Sequence, residues 1–242
     1  MSEMATGLSS LSRSLTTLRN LSPRRKPVVR CEMCSQPLPD VHQHLVEIAP
    51  QRLICVCDAC SLLFSNQGAE QKYRRVPRRS LFLPDFRLSD AQWDSLLIPI
   101  NMAFFFPSTP QGRVVALYPS PAGAMESLLE LDSWNEIVEQ NAVLQAMEPD
   151  VEALLVNRIG RLGHQGPAAS YRDPAAGAQE ALHFLAPLDE CYKLVGVIRA
   201  NWRGLSGGKK VWDEIDAFFV DLRARSKTRR EPLEQGPKPC PT

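Results

Sequence analysis

The chain has 242 residues, of which 44% are hydrophobic, and a formal net charge of +1. That length and apolar fraction suffice for one sizeable core and a smaller satellite unit. The near-neutral balance excludes a global field drawing the protein to nucleic acid or an anionic membrane, so any such binding must come from a local patch. Seven cysteines are present, five of them between Cys31 and Cys60. A chain this long and this apolar does not need a disulfide scaffold, and its start is not read as a secretory signal. Reduced, metal-binding thiols in a cytoplasmic protein are therefore expected. The apolar run Leu96 to Phe106 is broken by Pro99 and Asn101 and is too short to span a bilayer.

Residues 1–30 are basic and rich in Ser and Leu, with Leu8, Leu11, Leu15, Leu18 and Leu21 spaced as one helical stripe. They read as a short docking helix or a flexible arm. Arg24-Arg25 superficially suggests a twin-arginine export signal, but no apolar segment follows.

From residue 31 to about 75 the pattern becomes specific. Cys31-Glu-Met-Cys34 and Cys57-Asp-Ala-Cys60 are two Cys-x-x-Cys pairs, and between them two β-prone runs, His44 to Ile48 and Arg52 to Val56, form a hairpin. The second pair opens a helix that ends near Gly68. Two sulfurs separated by two residues chelate one ion from a tight turn, and two such pairs complete the closed tetrahedral shell of a structural zinc. At a helix start, free N–H groups also favour thiolates. Knuckle, hairpin and helix in this order resemble a treble-clef or zinc-ribbon module, with Cys31, Cys34, Cys57 and Cys60 as ligands. Three neighbours are alternates. Cys55 points the same way as Cys57 if both lie on the strand, and His42 or His44 can supply a nitrogen ligand. Iron is the rival metal, because four thiolates also suit a rubredoxin-like electron-transfer centre. Such knuckles usually carry glycine after the second cysteine, where Ser35 and Ser61 stand here.

Lys72, Arg74, Arg75, Arg78 and Arg79 follow as a basic run around Tyr73. They read as a solvated linker or, in a zinc-dependent nucleic-acid-binding regulator, as a patch for phosphates.

Residues 81–222 are expected to form a mixed α/β domain with C-terminal helices, giving an α+β fold class overall. Ser89 caps a helix over 90–97; residues 100–106 and 113–118 form a hairpin; Tyr118-Pro-Ser-Pro-Ala-Gly123 is a loop feeding a helix that holds Glu126, Leu128, Leu129, Leu131 and Trp134. A strand follows at 149–156, where Asp150 and Glu152 share a face if extended, with no third partner visible for acid–base work. Residues 159–180, with His164, read as a loop; 182–185 as a strand; and Leu188 to Trp202 as a helix. Ser206 and the glycines at 204, 207 and 208 then precede a strongly amphipathic helix from Val211 to Leu222. Cys191 near His183 is weighed as a nucleophile and set below a buried helical thiol. Residues 223–242 read as a disordered basic and proline-rich tail with an incidental Cys240. No catalytic motif is found, and a binding role is favoured over an enzymatic one.

Taken together, Cys31-x-x-Cys34, His44-Leu-Val, Cys55-x-Cys57-x-x-Cys60-x-Leu-Leu-Phe64, Tyr118-Pro-Ser-Pro-Ala-Gly123, Asp150-Val-Glu-Ala-Leu-Leu155, and Cys191-Tyr through Trp202-Arg-Gly-x-Ser-Gly-Gly208 resemble an uncharacterised bacterial family. Its members are often encoded beside uptake [NiFe]-hydrogenase genes. The resemblance covers residues 30 to 222 and carries no established activity. It implies a cytoplasmic accessory protein with a protein partner, a hydrogenase subunit or a maturation factor.

Overall fold

Alternating apolar residues, turn residues and helical periodicity translate into two sheets and five α-helices among the described residues. The computed structural model describes residues 28–65, 71–127, 134–159, 181–204 and 207–230. The leucine stripe before residue 22, Leu128, Leu129, Leu131, His164, Ser206 and Cys240 lie outside them.

The first sheet is small. Strands β1 (Gln43–Glu47) and β2 (Arg52–Val56) form the expected antiparallel hairpin, and β3 (Tyr73–Arg75) pairs with the other edge of β1. Helix α1 (Asp58–Ser65) follows β2 directly. Side chains alternate between faces along a strand. Leu45, Ile54 and Val56 turn to one side, where they form a minor core with Cys31 and Cys60. Val46 and Leu53, which are register partners, turn to the other side and join the main core.

The second sheet has seven strands in the order β10-β4-β9-β8-β5-β6-β7. These are β4 (Leu81–Phe82), β5 (Met102–Ser108), β6 (Arg113–Ser120), β7 (Gly123–Glu126), β8 (Glu152–Asn157), β9 (Leu182–Pro187) and β10 (Lys227–Thr228). All neighbours are antiparallel except β10 and β4. Both faces are covered, which explains the unbroken apolar runs in β5 and β8. Phe104 and Phe106 meet α4 (Leu188–Asn201) and α5 (Gly208–Arg225) through Leu188, Val195, Val211 and Phe219. Phe105 faces the opposite layer, built by α2 (Asp90–Ser95), α3 (Trp134–Gln140) and a 3-10 turn at Ala142–Ala146.

Helix α2 starts on a full capping box: the Ser89 hydroxyl accepts from the Gln92 backbone, and the Gln92 side chain accepts from the Ser89 backbone. Before α5 the chain needs glycine at 207, where φ is +81° and an added Cβ would come within 2.8 Å of Val211 and 3.1 Å of Trp202. None of the described helices is long and apolar enough to cross a membrane.

Two segments differ from the expected layout. Residues 118–123 do not lead into a helix: the chain reverses tightly and returns as β7, pairing Ser120 with Gly123. The Ser120 hydroxyl accepts from the N–H groups of Ala122 and Gly123, and Gly123 adopts φ +140°, so the Pro/Gly-rich stretch is a hairpin turn. The tail expected from residue 223 keeps regular structure through 228. Helix α5 runs to Arg225, and β10 then lies parallel to β4, with the Arg229 N–H donating to the Phe82 carbonyl.

Candidate metal centre

The four cysteines of the two Cys-x-x-Cys pairs come together at one end of the small sheet. Their sulfurs lie within 4.8 Å of one another, near enough to hold one metal ion. Cys34 Sγ and Cys57 Sγ are 3.7 Å apart. Sulfurs bound tetrahedrally to zinc at about 2.3 Å stand roughly 3.8 Å from one another.

Local geometry brings each pair in. Residues 31–36 fold into a tight loop in which the Ser35 N–H donates to the Cys31 carbonyl and the Cys31 N–H to the Gln36 carbonyl. Ser35 sits at φ +63°, the left-handed conformation for which glycine is the usual choice at that position. Glu32 fastens this loop to β2 twice: its backbone N–H donates to the Cys55 carbonyl, and its carboxylate accepts from the Cys55 N–H at 2.8 Å. Arg52 adds an ion pair to Glu32. On the other side, α1 begins one residue after Cys57, and the Cys60 N–H donates to the Cys57 sulfur at 3.4 Å. The Gln43 amide donates to Asp58 in the first turn of α1 and holds the helix start against β1.

The electrostatics of the quartet favour a cation. Burial works against ionising Cys31, yet backbone N–H groups of Cys57, Cys34 and Met33 act on its sulfur and bring its pKa down to about 6. Cys60 moves the other way. Burial, and then the sulfurs of Cys57, Cys34 and Cys31, push its thiol well above the ordinary range. Cys31 thus gives up its proton readily, whereas Cys60 keeps its own until a positive ion enters.

Cys55 does not share this cluster. Strand β2 ends at Val56 and the chain turns into α1, so Cys57 leaves the strand, and the expectation that Cys55 and Cys57 point the same way does not hold. Cys55 lies directly across from His44 in the β1–β2 register. Together with His42 these residues form a separate group whose ligand atoms are within 4.8 Å of one another. Burial, then the charge of Glu32, raises the Cys55 thiol above its usual pKa.

The basic run is largely occupied by acids. Lys72 pairs with Glu47 at 3.3 Å, Arg74 with Asp150 at 3.0 Å, and Arg79 with Glu152 at 2.8 Å; Arg75 reaches the Gln43 amide oxygen, and Arg78 is exposed. These partners include the two carboxylates considered for acid–base work. Asp150 and Glu152 are buried at the start of β8, and Asp150 also accepts from the Thr109 N–H and hydroxyl. They therefore clamp β3, through Arg74, and the segment after it, through Arg79, onto the large sheet. Cys191 is fully buried on the core face of α4, whereas His183 lies on the opposite face of the large sheet, stacked on Phe86. The two cannot act as a dyad.

Two contributors carried no sequence signal. Glu32 sits inside the first pair as an ordinary solvated acid would. Asp189 accepts a hydrogen bond from His44 Nδ1 at 2.9 Å across 145 residues of chain. Only the packing of α4 against the small sheet brings that carboxylate in.

Comparisons with curated proteins and with solved structures found no significant match. A family described as Family of unknown function (DUF5947) matches residues 30–226, from the edge of the cysteine loop to the end of the last helix, and the chain belongs to that family.

Proposed function

We propose that this is a non-catalytic zinc-binding accessory protein, in which the ion at Cys31, Cys34, Cys57 and Cys60 folds the cysteine-rich segment in the manner of a treble clef. The observation that carries the reading is the convergence of four sulfurs on a minor core of only five buried residues, two of which are cysteines from the quartet. Such a core cannot hold a segment of that length by apolar burial alone, and a structural zinc supplies folding free energy directly. Four thiolates also fill the coordination shell, which leaves no position for a reacting water.

The larger α/β domain, with the small sheet clamped to it, is the part that docks a protein partner. The sequence resemblance points to a hydrogenase subunit or maturation factor as that partner. Elemental analysis of the purified, reduced protein tests the metal: the expected result is zinc that resists mild chelation and is lost in Cys34→Ser and Cys57→Ser. A red protein with iron and no zinc replaces the accessory role with electron transfer. Metal-free protein that keeps its fold sinks both readings. Affinity capture with hydrogenase subunits then tests the partner.

A further inference from the structure

The cluster of His42, His44 and Cys55 lies on the other face of the small sheet from the minor core, where that sheet meets α4. Strand alternation puts His44 and Cys55 on the side of Val46 and Leu53, which bury into the main core. His42 reaches the same point from the residue before β1, with its ring centroid 4.7 Å from that of His44.

Both imidazoles are held in the form that binds metals. His42 Nδ1 lies 2.9 Å from the Pro39 carbonyl oxygen, which can only accept, so the proton is on Nδ1 and the lone pair on Nε2. That Nε2 is buried and has no hydrogen-bond partner. A buried polar atom without a partner is rare enough in a native fold to require an explanation, and a ligand is one. His44 Nδ1 is turned to the Asp189 carboxylate, which fixes the same tautomer and leaves the Nε2 lone pair for a ligand. A carbonyl or carboxylate behind each ring is the usual setting of a metal-bound histidine. Cys55 is held equally firmly, since its backbone N–H and C=O are both tied to Glu32.

The geometry points to a second metal site at this junction, in which His42 Nε2, His44 Nε2 and Cys55 Sγ hold one borderline divalent cation and leave a fourth position open to water or a small ligand. Two imidazoles and one thiolate suit zinc, with copper(II) as the competing ion. Binding releases the Cys55 thiol proton to solvent, so uptake weakens as pH falls. This site uses no residue of the closed quartet and differs from it in kind. The quartet is saturated by protein, whereas the junction site retains an exchangeable position. Its outer carboxylate, Asp189, stands at the start of α4, so occupancy also fixes the small sheet to the large one.

Zinc titration of the reduced full-length protein, with metal content after desalting, tests the proposal. The expected result is two equivalents in the native protein and one in both His44→Ala and Cys55→Ser, with the thermal transition retained. Asp189→Asn is expected to keep two equivalents and to weaken the second about 10- to 100-fold, as an orienting carboxylate would. One equivalent in the native protein that survives His44→Ala and Cys55→Ser overturns the site. So does loss of the chelator-resistant ion in Cys55→Ser, which would place Cys55 in the quartet. An equivalent lost in His44→Ala and Cys55→Ser but kept in Cys34→Ser upholds the junction site and removes the closed one.

Discussion

The small and large sheets solve the same problem with different means. The large sheet is covered on both faces, and its strands β5 and β8 carry side chains such as Phe104, Phe105, Leu154 and Leu155 that are almost wholly withdrawn from water. The small sheet has Leu45, Ile54 and Val56 on one side and closes that core with thiols. Apolar area stabilises the first in many small increments, whereas the second, on the function proposed above, depends on one metal ion. Neighbouring residues Leu45 and Val46 belong to different cores, so the two schemes meet within a single strand.

If the quartet holds the proposed ion, removing it separates them most sharply. Structural zinc contributes about 10–16 kcal/mol in small modules. Exhaustive chelation is therefore expected to open amides of residues 31–65 to hydrogen exchange while those of β5, β8 and β9 remain protected. Simultaneous loss of protection in both sheets would show that they unfold as one unit. The converse experiment is Phe104→Ala, which leaves a cavity under α4 and costs about 3–5 kcal/mol, read as a lower midpoint in denaturant, with metal content unchanged in the folded protein.

The clamp between the sheets comes next. Arg74→Ala leaves the buried Asp150 carboxylate with only its two Thr109 hydrogen bonds, a loss of about 3 kcal/mol. Adding Asp150→Asn is expected to restore part of it, because the unpaired charge is gone; a double variant weaker than the single would refute this account.

Acid acts on the large sheet through His183. Burial, and then the charge of Arg158, lower its pKa from 6.5 to about 4, and its Nε2 has no partner. In the window between those values the unfolded chain takes up the proton and the folded one does not. Stability is thus fully present above pH 6.5 and declines as pH falls towards 4, by at most about 3 kcal/mol. Denaturant titrations across that range check the slope, which His183→Phe should flatten.

How much of this was readable beforehand depended on the distance over which a residue finds its partner. The β1–β2 hairpin, the capping box at Ser89 and Gln92, and helices α4 and α5 rest on local turn chemistry and periodicity, and the sequence shows them. The convergence of the two Cys-x-x-Cys pairs is legible too, because a hairpin returns its ends to one place. The division of cysteines and histidines into two groups is not. It depends on where β2 stops and on a register in which a one-residue slip would exchange the faces. Nor could Asp150 and Glu152 be recognised as anchors, since their arginines precede them by more than seventy positions. The turn at Ser120 to Gly123 reads equally well as a loop into a helix until Gly123 is seen at positive φ.

The pairing of β10 with β4 has a consequence for how the molecule avoids its own kind. An unpaired edge of a β-sheet is a template on which another chain can add a strand. Here the last described residues fold back over that edge, with only two residues per strand and with the Arg223 guanidinium over the Phe82 ring. Short, cationic borders are poor templates. Because β4 and β10 come from opposite ends of the large sheet's sequence, this border forms only after residue 228 has been made, and until then the β4 edge is exposed to a neighbouring chain.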